Sequence, residues 1–94
     1  MKIAWTRRAL EDLIEIEHYI SKDNPQTAIR FTDHIIEKCE NLANHPDMGR
    51  VVPELSSPQI RELIIKNYRI VYQYTTVEIQ ILTIFEGHRL LRLK

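Results

Sequence analysis

The chain has 94 residues, of which 44% are apolar, and its 13 basic and 13 acidic side chains give a formal net charge of zero. This length suits one domain with a modest core, and the balanced charge argues against a general nucleic-acid binder, which usually carries a basic excess. No signal peptide or membrane-spanning run is evident, and the single Cys39 cannot form an internal disulfide. We therefore expect one domain over residues 1–94, located in the reducing cytoplasm and not in a membrane.

The N-terminal half is predicted to form a short strand followed by a helical hairpin. Residues 2–6 alternate as in a strand, and Thr6 is the predicted N-cap of a helix over 7–22, whose apolar residues recur at helical spacing. Asn24 and Pro25 are typical of the cap and first turn of a second helix, which is predicted to run to about residue 44. The short link predicts that the two helices lie antiparallel.

The C-terminal half is predicted to be a sheet. Residues 44–58 hold three prolines and a glycine without periodicity and are predicted to be a loop. Three runs rich in Ile, Val, Tyr and Thr follow at 59–65, 68–75 and 77–85, separated by very short links such as Lys66-Asn67. This pattern predicts an antiparallel meander. The order β-α-α-β-β-β predicts an α+β fold, an antiparallel sheet with the helical hairpin packed on one face.

Both faces of this predicted sheet are substantially apolar. In the last strand, Ile79 and Ile81 alternate with Leu82 and Ile84. The hairpin covers one face, and the other needs a cover as well, because large exposed apolar patches usually mark contact sites. That cover is either the loop of residues 44–58 or a partner protein.

Several short motifs, in their order and spacing, resemble the RelE/ParE superfamily of toxin–antitoxin toxins, and the ParE branch more closely. The motifs are HPDMGR at 45–50, RELI at 61–64, YRIVY at 68–72 and GHR at 87–89. The resemblance covers nearly the whole chain. It implies a small cytoplasmic toxin, of the kind linked to plasmid stabilisation, that a cognate antitoxin of the ribbon-helix-helix type neutralises. ParE-like toxins poison DNA gyrase by protein–protein contact, whereas RelE-like toxins cut messenger RNA on the ribosome.

The residues that the resemblance implies for RNA cleavage are only partly present. Arg69 and Arg89 match the two arginines of RelE-like enzymes. The lysine positions of the second strand fall near Ile60 and Glu62, and the late tyrosine would fall at or beyond Lys94. Cleavage needs a proton acceptor and a proton donor, and this set supplies neither convincingly.

A second catalytic arrangement, used by a relative with a glutamate base and a histidine acid, remains open at the level of sequence. His88 would be the acid and Glu54 or Glu62 the base. The plainer interpretation is structural, with Arg69 paired to a helix carboxylate such as Asp12.

The sequence therefore favours a ParE-like gyrase inhibitor that is not an enzyme and uses no cofactor or metal. A further hypothesis is a protein that binds its antitoxin but has no toxic activity. The alternative is a RelE-like endoribonuclease acting on ribosome-bound messenger RNA. The favoured reading assigns target binding to Arg89, Arg92 and Lys94, and antitoxin binding to Leu82, Ile84, Ile79 and Ile81 together with the helical-hairpin groove. The alternative assigns catalysis to Arg69, His88 and Arg89.

Overall fold

A computed structural model describes residues 1–87 as two antiparallel helices packed on a five-stranded sheet. The elements are β1 (Lys2–Trp5), α1 (Arg7–Ser21), α2 (Pro25–Asn41), β2 (Arg50–Val51), β3 (Ile60–Ile65), β4 (Tyr68–Tyr74) and β5 (Glu78–Glu86). The strands lie in the order β1-β5-β4-β3-β2. The predicted α+β fold with a helical hairpin is confirmed. Neither helix in residues 1–87 is long and apolar enough to cross a membrane.

The sheet differs from the prediction at its two edges. β1 pairs with β5 in parallel, so the sheet is mixed, while the other pairs are antiparallel. The predicted loop also contributes β2, whose Arg50 and Val51 pair with β3. Backbone groups beside an open strand edge gain hydrogen bonds by pairing with it, which explains why this short segment joins the sheet.

Both helices begin at the predicted caps. The Thr6 hydroxyl accepts a hydrogen bond from the Ala9 N–H at 3.1 Å, and the Asn24 side chain accepts one from the Thr27 N–H at 3.1 Å. The Thr6 hydroxyl also donates to the Ile81 carbonyl at 2.8 Å. The cap of α1 is therefore fixed to β5.

The core lies between the hairpin and one face of the sheet. Fully buried side chains from α2, its C-cap and the sheet form its centre: Ile35, Cys39, Leu42, Ile70, Tyr72, Ile79 and Ile81. Burial raises the pKa of the Cys39 thiol to about 12, so the thiol is neutral at physiological pH and packs as a small apolar group.

A β-bulge changes the predicted facing of β5. Val71 is opposite Thr83 but Tyr72 is opposite Ile81, which leaves Leu82 as an extra residue. A bulge sets two residues against one and interrupts strict alternation. Ile84, opposite Ile70, therefore joins Ile81 on the helix-covered face, and the prediction that these two side chains face opposite ways is wrong.

The turn between β3 and β4 places a lysine in an unfavourable backbone conformation. Lys66 has a φ of 55° in the two-residue link Lys66-Asn67. For a residue with a Cβ, the left-handed region costs roughly 1–2 kcal/mol. The following link, residues 75–77, is closed by the Thr75 hydroxyl, which accepts from the N–H groups of Val77 and Glu78, each at 3.2 Å.

Candidate functional site

The sheet face away from the helices carries a buried ion pair between neighbouring strands. The register places Glu62 opposite Val71 and Ile64 opposite Arg69, so Glu62 and Arg69 are diagonal neighbours on one face. Arg69 Nε donates to Glu62 Oε1 at 2.6 Å, and Arg50 Nε donates to Glu62 Oε2 at 2.6 Å. Both oxygens of a carboxylate that is fully shielded from solvent are thus bonded to arginines.

The loop before β3 adds a second carboxylate to this pair. Glu54 accepts from Arg69 Nη1 at 2.8 Å and from Arg69 Nη2 at 2.7 Å, a bidentate arrangement. The side chain of Arg69 is 8% exposed and that of Glu54 is 25% exposed. Arg50, Glu54, Glu62 and Arg69 are named the Arg–Glu cluster below. The loop therefore covers part of this sheet face, as one of the two predicted covers, while Ile64 on the same face stays 52% exposed.

The Arg–Glu cluster neutralises itself. Its two guanidinium groups and two carboxylates have a formal charge sum of zero. Hydrogen bonds to Glu54 and then to Glu62 raise the pKa of Arg69 above its ordinary value, although burial opposes the shift, so the guanidinium stays charged. The ring of Phe85 lies 5.0 Å from the guanidinium carbon and covers its remaining side. The predicted partner Asp12 is wrong, since Asp12 instead accepts from the Thr83 hydroxyl at 2.6 Å and the Ile84 N–H at 3.0 Å.

This geometry bears on the catalytic alternative. Glu54 and Glu62, the two candidate bases, are both bonded to Arg69, the candidate phosphate ligand. A substrate phosphate at Arg69 would therefore have to displace carboxylates already in place. His88 and Arg89 lie outside the described residues, as do Arg92 and Lys94 of the predicted target-binding set.

The predicted antitoxin contacts on β5 are mostly part of the core. Ile79 and Ile81 are fully buried and Ile84 is 2% exposed, whereas Leu82 is half-buried. Three of these side chains pack within the chain itself and present no surface to a partner. Leu82 stays a candidate.

The outer side of the two helices, where the sequence predicted an antitoxin-binding groove, carries an exposed apolar surface. Glu17 on α1 accepts a hydrogen bond from the Thr32 hydroxyl on α2 at 3.0 Å, which marks the line where the helices meet. Residues three, four or seven positions from these two share the same helix stripe. They include four apolar side chains that are 36–67% exposed, named the outer hairpin ridge: Leu10, Ile14, Ile29 and Ile36.

The end of the described chain is held against the β3–β4 turn. The Gly87 N–H donates to the Asn67 carbonyl at 2.6 Å, and a Cβ at Gly87 would lie 3.2 Å from that oxygen. Gly87 does not have a positive φ, so the close approach, rather than an unusual bend, favours glycine there. Beside this contact is an open depression of about 390 Å³, lined by Lys66, Ile64, Pro53 and the cluster members Arg50, Glu54 and Arg69.

The remaining polar candidates show no grouped chemistry in the described part of the chain. No three His, Cys, Asp or Glu side chains among residues 1–87 are placed to hold a metal ion. Tyr72 is fully buried, and its hydroxyl accepts from the Gly49 N–H at 2.9 Å and donates to the Pro46 carbonyl at 2.8 Å. It anchors the loop and is not a stacking platform.

The fold, a helical hairpin on one face of a small mixed sheet, defines a toxin domain of the RelE/ParE type. The family model described as the ParE toxin of the type II toxin–antitoxin system parDE matches residues 3–91. The chain belongs to this ParE toxin family.

Similar proteins are also named as toxins or belong to a toxin–antitoxin system. The chain is 35% identical over 89 residues to Y4kP of Sinorhizobium fredii, described only as a candidate toxin, covering 94% of this chain and 90% of that protein. It is 34% identical over 64 residues to the toxin RelE2 of Caulobacter vibrioides, covering 68% of each chain. A solved structure of the chromosomal ParDE toxin–antitoxin system from P. aeruginosa matches with a TM-score of 0.74 and 29% identity, covering 92% of this chain and 95% of that one.

Proposed function

We propose that this ParE-family toxin inhibits DNA gyrase by protein–protein contact in the cytoplasm and is neutralised by a cognate antitoxin. The observation that supports the choice of target is the Arg–Glu cluster. Arg69 matches an arginine of RelE-like enzymes, yet its Nε, Nη1 and Nη2 all donate to the carboxylates of Glu54 and Glu62.

Electrostatics make this cluster a poor site for RNA cleavage. An incoming phosphate would be repelled by two carboxylates that lie within hydrogen-bond distance of Arg69. The same carboxylates are engaged as hydrogen-bond acceptors and cannot readily take a proton from a 2′-hydroxyl. Losing a general acid or base typically costs a factor of about 10²–10⁴ in rate. Binding to a protein target requires none of these groups.

The gyrase proposal predicts a specific outcome with the purified toxin. It should inhibit supercoiling by gyrase and leave protein synthesis in a cell-free system running, and its expression without antitoxin should cause filamentation and the DNA-damage response. The measurements are a supercoiling assay and a translation assay with the same toxin preparation. Unaffected supercoiling at toxin concentrations that arrest growth would refute the proposal.

The second candidate is a ribosome-dependent endoribonuclease. It is favoured by the 34% identity to a protein named RelE2 and by the presence of both Arg69 and Arg89. It makes the opposite forecast: translation stops, messenger RNA is cut at the ribosomal A site, and Arg89→Ala removes the cutting. The two assays above therefore separate the candidates.

For the antitoxin we propose the outer hairpin ridge as the principal docking surface. Antitoxins of the ribbon-helix-helix type would present a segment that folds on binding. If that segment forms an amphipathic helix, its apolar face can pack along the line where α1 and α2 meet, against the side chains of the outer hairpin ridge. The ridge is the part of the described helices where large apolar side chains are exposed along one line. Leu82 on β5 is a proposed secondary contact.

The ridge proposal predicts that Ile14→Glu weakens antitoxin binding about 100-fold or more, because it places a charge in an apolar contact. Ile14 is 67% exposed, so the fold should be unaffected. Affinity would be measured by calorimetry with the antitoxin expressed from the neighbouring gene. Glu37→Lys is the matched control. Glu37 is exposed, and it lies about 100° around the axis of α2 from Ile36, away from the outer hairpin ridge. Equal affinities for both variants would contradict the proposed surface.

A further inference from the structure

Lys66 occupies a backbone position that its side chain disfavours. In two-residue β-hairpin turns, positive φ is usually supplied by Gly, Asn or Asp, because a Cβ crowds the backbone there. Lys66 takes a φ of 55° although Asn67, a better residue for that conformation, stands next to it with a negative φ. Strained non-glycine residues concentrate where the side chain has a functional task. The turn therefore holds a lysine at some conformational cost, and its ammonium is the group to explain.

Nothing in the described chain neutralises this ammonium. Lys66 is exposed, and no carboxylate within residues 1–87 lies at ion-pair distance from it. The carboxylates of the Arg–Glu cluster, Glu54 and Glu62, are hydrogen-bonded to the arginines of that cluster. Intramolecular packing therefore gives no account of the charge.

The surroundings of Lys66 carry a positive surplus. The depression beside it is lined by three positive side chains, Arg50, Lys66 and Arg69, and one negative side chain, Glu54. With Glu62, which is paired with Arg50 and Arg69, the count is three positive groups and two negative ones. The chain also leaves the described structure at Gly87, which is hydrogen-bonded to the neighbour of Lys66, Asn67. Every charged residue after Gly87 is basic: Arg89, Arg92 and Lys94.

We propose that Lys66 is a target-contacting residue, whose ammonium docks on an acidic surface of the protein target. The inference deepens the proposed target contact and rests on the toxin acting by protein binding. An acidic protein surface fits better than nucleic acid, because α1 and the chain as a whole are not basic and the face holds the bonded carboxylates Glu54 and Glu62.

The test uses substitutions that cannot be confused with a folding defect. Lys66→Gly removes the charge and relieves the left-handed strain, while Lys66→Arg retains the charge. Lys66→Gly is expected to lower growth arrest and target inhibition about tenfold or more, to flatten their dependence on ionic strength, and to leave antitoxin affinity and melting temperature unchanged or higher. Lys66→Arg is expected to retain toxicity. Lys22→Gly, which removes an exposed lysine from the link between the helices, is the matched control and should behave as the unsubstituted toxin.

The other outcomes distinguish a failure of this proposal from a failure of the proposed function. Full toxicity of Lys66→Gly, or equal losses in Lys66→Gly and Lys66→Arg, would show that the charge makes no contact. If the toxin binds an RNA oligonucleotide and this binding requires Lys66, the residue contacts nucleic acid and the proposed protein contact is wrong. Growth arrest that depends on Lys66 while gyrase supercoiling is untouched would support the docking residue and refute gyrase as its target. An unsubstituted toxin that arrests nothing would overturn both.

Discussion

Replacing Glu62 with glutamine is expected to lower the free energy of unfolding by about 3 kcal/mol, the lower end of the range for breaking a buried ion pair. Glu62 is fully shielded and bonds to Arg50 and to Arg69, whose side chain is only 8% exposed. Glutamine has nearly the same shape but lacks the charge, and its amide nitrogen would face an arginine donor. The remaining bidentate bond from Arg69 to Glu54 keeps the loss from being larger. A domain of this length has a total stability of roughly 5–14 kcal/mol, so the effect should be plain in urea denaturation.

Two further variants separate charge pairing from packing. The double substitution Glu62→Met with Arg69→Met removes both desolvated charges, and it is expected to be more stable than the single Glu62→Met variant, since apolar replacements of buried ion pairs are often neutral or stabilising. Glu11→Gln on the exposed surface of α1 should change stability by about 0.5 kcal/mol or less. A Glu62→Gln variant as stable as Glu11→Gln would mean that the cluster does not fix the loop to the sheet.

The pairing of Glu62 with Arg69 was within reach of the sequence. The turn at Lys66-Asn67 was predicted, and a two-residue turn at that point sets Ile64 opposite Arg69. Side chains alternate along a strand, so Glu62 then shares a face with Arg69 and lies diagonal to it. The strand register, and not a contact with Asp12 on α1, therefore determines the partner of Arg69. The contact between Glu54 and Arg69 could not be predicted in the same way, because the position of Glu54 depends on the path of an aperiodic loop.

The helices were easier to predict than the edges of the sheet. Capping by Thr6 and Asn24 and the apolar periodicity are local signals, and both helices begin where these signals place them. The parallel pairing of β1 with β5 depends on which sheet edge is free, and no local pattern encodes that choice. In the sequence, the bulge at Leu82 is indicated only indirectly, because the apolar residues at 79, 81 and 84 break strict alternation. The predicted facing of Ile84 relative to Ile81 was wrong for this reason.

Deleting residues 90–94 is expected to abolish toxicity and leave the fold and the antitoxin complex largely intact. In the described chain the last strand ends at Glu86, Gly87 is tied to Asn67, and the most C-terminal buried residue of the core is Ile84. The deletion removes two positive charges, Arg92 and Lys94, and the apolar residues Leu90, Leu91 and Leu93. Electrostatic attraction can raise association rates by a factor of about 10–10³, so losing these charges should greatly weaken the target contact. Antitoxin docked on the outer hairpin ridge would not sense the change.

A charge-reversed toxin makes this prediction sharper, because a deletion can also remove packing. Arg92→Glu with Lys94→Glu keeps the chain length and all three leucines, and it should reduce gyrase inhibition at least as strongly as the deletion, since like charges repel an acidic surface. Melting temperature and antitoxin affinity, measured on both variants, report the fold and the ridge independently. If the deletion lowers the melting temperature sharply while the charge reversal leaves inhibition unchanged, the leucines belong to the core and the basic residues do not contact the target. If both variants melt normally, bind antitoxin and no longer inhibit gyrase, the C-terminal charges act on the target directly.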